Sequence, residues 1–167
     1  MKKILLLFLF PVFFISCNAN KRDLSLTYND CGLKMNGETF LLISGIENYK
    51  NLNLENAEEL YSYEYLHIQT IVKQKDFNGL NIRWFEHDGI PQNIIVLETT
   101  SGKINTPRGI HPGSSLKQLY KKYGEKEINK NSEIAYWYGS LEFETQIGII
   151  FSIENNKVSK IHIESYD

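Results

Sequence analysis

Gly79-Leu-Asn-Ile-Arg-Trp-Phe-Glu-His-Asp-Gly-Ile90, followed by Ile94-Ile-Val-Leu-Glu98, is the stretch on which the fold turns. Leu80, Ile82 and Trp84 alternate with other residues, the period of two that a strand with one buried face requires. Between the two apolar runs, Asp88-Gly89 supplies residues that tolerate a positive φ, so the segment predicts an antiparallel hairpin. The same layout returns at Gly148-Ile-Ile-Phe-Ser-Ile-Glu-Asn-Asn-Lys-Val158 with Ile161-His-Ile-Glu164. Each copy reads as a glycine, an alternating strand, a polar turn and a second apolar strand ending in Glu.

Working outward, Ile134-Ala-Tyr-Trp-Tyr138, Leu141-Glu-Phe-Glu-Thr145, residues 148–154 and residues 157–164 are separated by Gly139-Ser140, Gln146-Ile147 and Asn155-Asn156. Spacers this short make neighbouring strands antiparallel and predict a meander. Ahead of it, Ser115 and Gln118 stand at capping-box spacing, Leu116, Leu119, Tyr120 and Tyr123 repeat with helical period, and Gly124 supplies a left-handed stop. A helix is therefore expected over 115–123. A second is expected over 57–66, where Ala57, Leu60, Tyr61 and Tyr65 share a helical spacing. His67–Lys73 reads as a strand, 48–56 as an Asn-rich loop, and Leu24–Tyr28 and Thr39–Ile43 as short strands around an Asn36-Gly37 turn.

The expected fold is α+β: an antiparallel β-sheet meander with two short helices packed on one face. Because each echoed hairpin follows an expected helix, the chain also reads as a degenerate tandem helix-plus-sheet repeat, 24–98 and 99–167, whose halves join edge to edge and so bury open edges.

Composition sets the class. The chain has 167 residues, 42% hydrophobic and 23% charged, a globular balance that leaves one α+β domain over 24–167. It carries 18 Lys and Arg against 20 Asp and Glu, and loss of Lys2 and Lys3 with the leader would leave 16 against 20, a net charge near -4. A mildly acidic body has no electrostatic reason to bind nucleic acid.

The amino end carries an address. Residues 1–16 pair Lys2 and Lys3 with an apolar run from Ile4 to Ile15, and Ser16 precedes Cys17. That order is a secretory leader, too short to persist as a membrane span. Phe14-Ile15-Ser16-Cys17 resembles a bacterial lipobox, which implies a diacylglyceryl thioether on Cys17, cleavage before it and further acylation of the new amino end. Several acyl chains, at about 0.8 kcal/mol per buried CH2, make a stable anchor. Residues 17–23 then form a lipidated tether, and Asn18 after the cysteine resembles the sorting signal for the outer rather than the inner membrane. With Cys17 acylated, Cys31 is left without a disulfide partner and reads as a small buried apolar residue.

Gly109-Ile110-His111-Pro112-Gly113-Ser114-Ser115, then Leu119, Tyr123 and Gly124, then a meander, resembles the repeat shared by the BamE (SmpA/OmlA) outer-membrane lipoproteins and the β-lactamase-inhibitor-protein-like fold. Gly113, Leu119 and Gly124 match the glycine-led turn, the mid-helix apolar residue and the closing glycine of that repeat. Glu125-Lys126-Glu127 stands where a proline is usual, and the N-terminal half lacks the glycine-led turn. The resemblance implies an envelope-facing assembly or binding module.

No nucleophile elbow, zinc-binding His-Glu-x-x-His or phosphate loop occurs, so no catalytic residue, metal or cofactor is expected. Glu64-x-x-His67 is a single half of a dicarboxylate metal motif, and Glu86-His87-Asp88 splits its side chains over two strand faces. His111 and His162 read as partnerless surface residues. Arg108, Gly113, Ser114 and Ser115 lie at a helix N-terminus with anion-binding character. Aromatic residues make up 13% of the chain, and Tyr136-Trp137-Tyr138 places Tyr136 and Tyr138 on one strand face and Trp137 on the other. If helices cover one side of the sheet, the other is a partner-binding surface. The sequence thus points to a lipid-anchored envelope protein, bound to the membrane through its lipid and to another envelope protein through its body. The alternatives are an inhibitor or immunity-like lipoprotein blocking an envelope enzyme, and then a small enzyme using His87, His111 or His162.

Overall fold

The computed structural model describes residues 24–139 and 146–166. The leader, Cys17, the tether and the strand expected at 141–145 lie outside the described residues. After a 3-10 turn at Tyr28–Asp30, a small hairpin pairs β1 (Gly32–Met35) with β2 (Glu38–Leu41). Four strands follow, β3 (Glu58–Tyr65), β4 (Ile68–Phe77), β5 (Leu80–His87) and β6 (Ile90–Thr99). The helix α1 (Leu116–Tyr123) precedes β7 (Glu133–Tyr138), β8 (Gln146–Glu154) and β9 (Lys157–Tyr166). Strands β3 to β9 form one antiparallel sheet in the order β3-β4-β5-β6-β9-β8-β7.

Local chemistry accounts for the connections. The two-residue turns Asn36-Gly37, Asn78-Gly79, Asp88-Gly89 and Asn155-Asn156 all place both residues at positive φ, between 47° and 92°. That conformation matches strand twist, and glycine and asparagine enter it at low cost. At α1, Ser115 N–H donates to Gln118 Oε1 at 2.7 Å and Gln118 N–H returns to Ser115 Oγ at 3.3 Å, the capping box expected from the spacing. Gly124, at φ 91°, closes the helix.

Two expectations are corrected. The helix expected over 57–66 is absent: Glu58–Tyr65 is strand β3, and α1 is the one α-helix among the described residues. Tyr61, Tyr63 and Tyr65 alternate at the period of a strand, and their backbone finds a ladder on β4, with Tyr61 opposite Val72 and Tyr63 opposite Thr70. Pairing with a β-branched neighbour outweighs a helical spacing carried by only four residues. The first strand also lies later than expected, at Gly32–Met35, because the register is set by the Asn36-Gly37 turn rather than by the apolar run at 24–28.

One face of the sheet is buried. Over its β7–β8 half lies α1, whose Tyr123 ring packs 5.2 Å from Tyr136 and 5.1 Å from Phe151. Over the other half lies the β1–β2 hairpin, tied to β6 by Ile43 N–H to Ile94 O at 2.8 Å and Ile94 N–H to Ser44 O at 2.9 Å. It places Leu33, Phe40, Leu42 and Ile46 in one core with Leu80, Ile82, Trp84 and Ile94. Each such side chain contributes about 1.5–3 kcal/mol on burial. The hairpin therefore covers the area that the second helix was expected to cover.

The amino end of the domain is locked down by Arg108. Its guanidinium meets the Asp30 carboxylate through Nε and Nη2, both at 2.8 Å, and donates to the carbonyls of Leu24, Ser25 and Lys122. Burial favours the neutral acid, but Arg108 and the hydroxyl and amide of Thr27 outweigh it and hold Asp30 below the usual carboxylate range. Cys31, next to this pair, is fully buried, and burial with the nearby Asp30 charge pushes its thiol up to about 12. Such a thiol is inert.

Candidate functional site

With α1 and the β1–β2 hairpin on one side of the sheet, strand alternation sends every second side chain to the side that no described element covers. The register aligns a polar seam across that open face. Starting at β3, Gln74 Nε2 donates to Glu58 at 2.9 Å, and Arg83 Nε donates to Gln74 Oε1 at 3.0 Å. Further along, His162 stands between two carboxylates, with Nδ1 2.8 Å from Glu98 and Nε2 3.1 Å from Glu164. Lys160 adds a contact to Glu98 at 3.4 Å, and the Tyr166 hydroxyl donates to Glu164.

This triplet is possible because β6 and β9 meet at the centre of the sheet with Glu98 opposite His162 and Val96 opposite Glu164. The hydrogen bond from His162 depresses the Glu98 carboxyl to about 2 against the opposing effect of burial. Burial opposes the charge on His162, but both carboxylates outweigh it and raise its pKa above the ordinary 6.5. Burial likewise opposes ionisation of Glu164, and Tyr166 and His162 overcome it and lower that pKa. The outcome is a ring held between two carboxylates that favour its charged form, and largely shielded from water. Its appearance corrects the reading of His162 as a partnerless surface residue. Both hairpins end in Glu, which is visible in the sequence; that β6 pairs with β9 in this register is not.

Beyond the triplet the face turns aromatic. Trp137 and Tyr166 meet edge to face at 5.2 Å, an arrangement that contributes about 0.5–1.5 kcal/mol beyond burial, and both remain more than 40% exposed. They close over Gly148, where an added Cβ would lie 2.8 Å from the Trp137 ring and 3.1 Å from that of Tyr166. Glycine at 148 thus permits the pair. Of the three residues expected to bind a partner, Trp137 lies on this face. Tyr136 points into the core, its hydroxyl donating to Gly124 O at 2.5 Å, and Tyr138 packs beside Tyr28 at 6.4 Å.

The residues expected to bind an anion are not brought together. The guanidinium of Arg108 is at Asp30 and the far end of α1, while the amides of Gly113, Ser114 and Ser115 donate to Val158 O, His111 O and Gln118 Oε1. Of the other motifs, His67 sits 3.5 Å from Glu64 in full solvent. Glu86 pairs with Lys73 at 2.8 Å on the covered side, while Asp88 accepts from Gln69 N–H in the turn. His111 Nδ1 lies 2.8 Å from Pro112 O.

Two hollows flank the sheet, and a third, of about 470 Å³, lies beside the β3–β4 turn, lined by Ser62, Tyr63, Glu64, His67, Gln69 and Asp88. One of about 680 Å³, between the β1–β2 turn and the β4–β5 turn, is lined by Met35, Phe40, Leu52 and Phe77 among others and contains Glu38 as its one titratable group. The other, of about 290 Å³, lies on the open face between Tyr61, Val72, Arg83, Phe85 and Val96. The first two bring no nucleophile against a base, and in the third His67 lies 3.5 Å from Glu64 in open solvent. Among the described residues no cluster of His, Cys, Asp and Glu is arranged to hold a metal ion, and no helix is long and apolar enough to cross a membrane. Comparison of the chain with family models, with curated proteins and with solved structures finds no match.

Proposed function

We propose that this chain is a bacterial envelope lipoprotein, anchored through Cys17 and favouring the outer membrane, whose body docks another envelope protein and performs no chemistry of its own. The observation that carries the docking role is the Trp137–Tyr166 pair, packed over Gly148 on the side of the sheet that no described element covers. Paired aromatics offer wide contact area for little conformational entropy, which is why they act as anchors in interfaces. The His162 triplet beside them, with Lys160 on Glu98, sets two basic side chains against two carboxylates and supplies a polar rim. The lipobox order at 14–17 supports the anchor, and the BamE-like order from Gly109 to Gly124 fits an assembly role.

Crosslinking in intact envelopes tests the reading. The wild-type chain is expected to yield a discrete heterologous adduct that Trp137→Ala loses at least about tenfold, as befits an aromatic hot spot. Gly148→Ala, which displaces the indole without removing it, should lose part of the yield. Cys17→Ala should release the chain from the membrane fraction and lose the adduct. Recovery of the monomer alone from wild-type envelopes, or an adduct indifferent to Trp137→Ala, would overturn the docking role.

A further inference from the structure

The two edges of the sheet are treated differently. At β7 the outer edge is closed: Asn129 N–H donates to Glu133 O at 2.8 Å, Lys126 Nζ reaches Ala135 O at 2.9 Å, and the same ammonium lies 4.8 Å over the Tyr136 ring. Lysine and a covering loop are standard protection against unwanted strand pairing. At β3 neither lysine nor loop is present among the described residues, and the register break between Glu59 and Tyr61 disturbs only the start of the strand. Among the described residues its backbone pairs only with β4, it contains no Lys, Arg or Pro, and every described side chain from Glu58 to Glu64 is exposed.

Exposed apolar side chains concentrate at this edge. Of the ten large exposed hydrophobic residues of the described chain, Leu60, Tyr61, Tyr63, Leu66 and Ile68 fall within this one hairpin. Charge concentrates there too. Residues 55–64 hold Glu55, Glu58, Glu59 and Glu64 and no basic residue. Glu58 meets a neutral amide on Gln74, and Lys73, opposite Glu59, is bound to Glu86 at 2.8 Å. A second copy of β3 brings no Lys or Arg to these carboxylates and adds its own to them, whereas a basic strand supplies the opposite charge.

We infer that the outer edge of β3 is a strand-addition site for a basic, extended segment of a different protein. The register break between Glu59 and Tyr61 leaves Tyr61–Tyr65 as the regular stretch for pairing. Along it the two faces differ. Tyr61 and Tyr63 stand on the open face with Val72, and Ser62 and Glu64 on the other. The incoming strand therefore alternates apolar or aromatic residues beside the tyrosines with Lys or Arg beside Glu64, and a further basic residue beyond the register break reaches Glu58 and Glu59, the division of labour in which main-chain bonds give affinity and alternate side chains give specificity. This edge lies across the sheet from Trp137, and the inference stands independently of the docking role of that residue.

Peptides of about eight residues test it with the purified full chain. The probes are an alternating lysine–valine peptide, its glutamate–valine counterpart, and the lysine peptide N-methylated at alternate residues. The lysine peptide is expected to bind, to shift the amide resonances of residues 61–65, and to lose at least about tenfold in affinity on N-methylation, which removes main-chain donors but no charge. The triple variant Glu58→Lys, Glu59→Lys, Glu64→Lys should reverse the preference to the glutamate peptide, and Trp137→Ala should change neither result. No binding, equal binding of the N-methylated peptide, or shifts confined to another surface would overturn the inference. So would self-association of the chain through β3.

Discussion

His162 takes its charge from its register. An isolated strand Ile161-His-Ile offers nothing to hold an imidazolium, yet pairing with β6 sets Glu98 on one ring nitrogen while Glu164 takes the other. The pH dependence follows from the signs. A base whose folded pKa is raised stabilises fully below its unfolded value of 6.5 and loses that contribution as pH rises through the folded pKa. A carboxyl held at about 2 stabilises fully above its unfolded value of 4.5 and loses that contribution as pH falls through about 2. The triplet thus supports the fold best between 4.5 and 6.5. Thermal unfolding at pH 5.5 and 8.5 should show the wild-type Tm falling by about 3 °C more than that of His162→Gln, the equivalent of about 1 kcal/mol. Parallel declines in the two proteins would remove the triplet from the account.

At the scale of elements, what was legible in the sequence was what depends on neighbours along the chain. Ser115, Gln118 and Gly124 give α1 its ends, and Asp88-Gly89 and Asn155-Asn156 give two hairpins their turns, because caps and tight turns are completed within a few residues. Strand β3 was misread because its decisive partner is the facing strand rather than its own periodicity. Its turn shows the same conflict: Leu66 and His67 sit at φ 50° and 65°, a conformation that residues with a Cβ enter at a cost. Hairpin pairing imposes it. Replacing the turn by Leu66→Asn with His67→Gly should therefore stabilise the protein by about 1 kcal/mol, despite removing an exposed side chain and a histidine. Denaturant unfolding with an unchanged m-value checks this, and a loss of stability would show that the turn side chains hold the hairpin in some other way.

For the whole molecule, the strand order builds a sheet whose protection falls from its middle to one edge. Hairpins β5–β6 and β8–β9 meet through β6 and β9, and each has a register break just before its turn, between Trp84 and Glu86 and between Ser152 and Ile153. The Glu98–His162 pair lies where the two hairpins meet, so the seam of the open face is also the seam of the fold. The internal echo raised the expectation of two halves joined edge to edge, but that β6 meets β9 with Glu98 opposite His162 was not available from local pattern, because no turn connects the two strands. Around that seam Leu97, Ile161, Ile163 and Phe151 are fully buried, whereas β3 has no buried described residue. Local opening requires the loss of only the contacts an element makes, so amide exchange should rank the strands by this gradient. The central amides of β6, β8 and β9 should exchange only through global unfolding, with protection tracking the denaturant-derived stability. Those of β3 should exchange through a local opening cheaper by several kcal/mol, and the amides of β7 should be slower than those of β3 although both are edge strands, because Lys126 and Asn129 close one edge and leave the other bare. Equal protection at the two edges would mean that these contacts do not guard β7 in solution, and the asymmetry that makes β3 an available template would go with them.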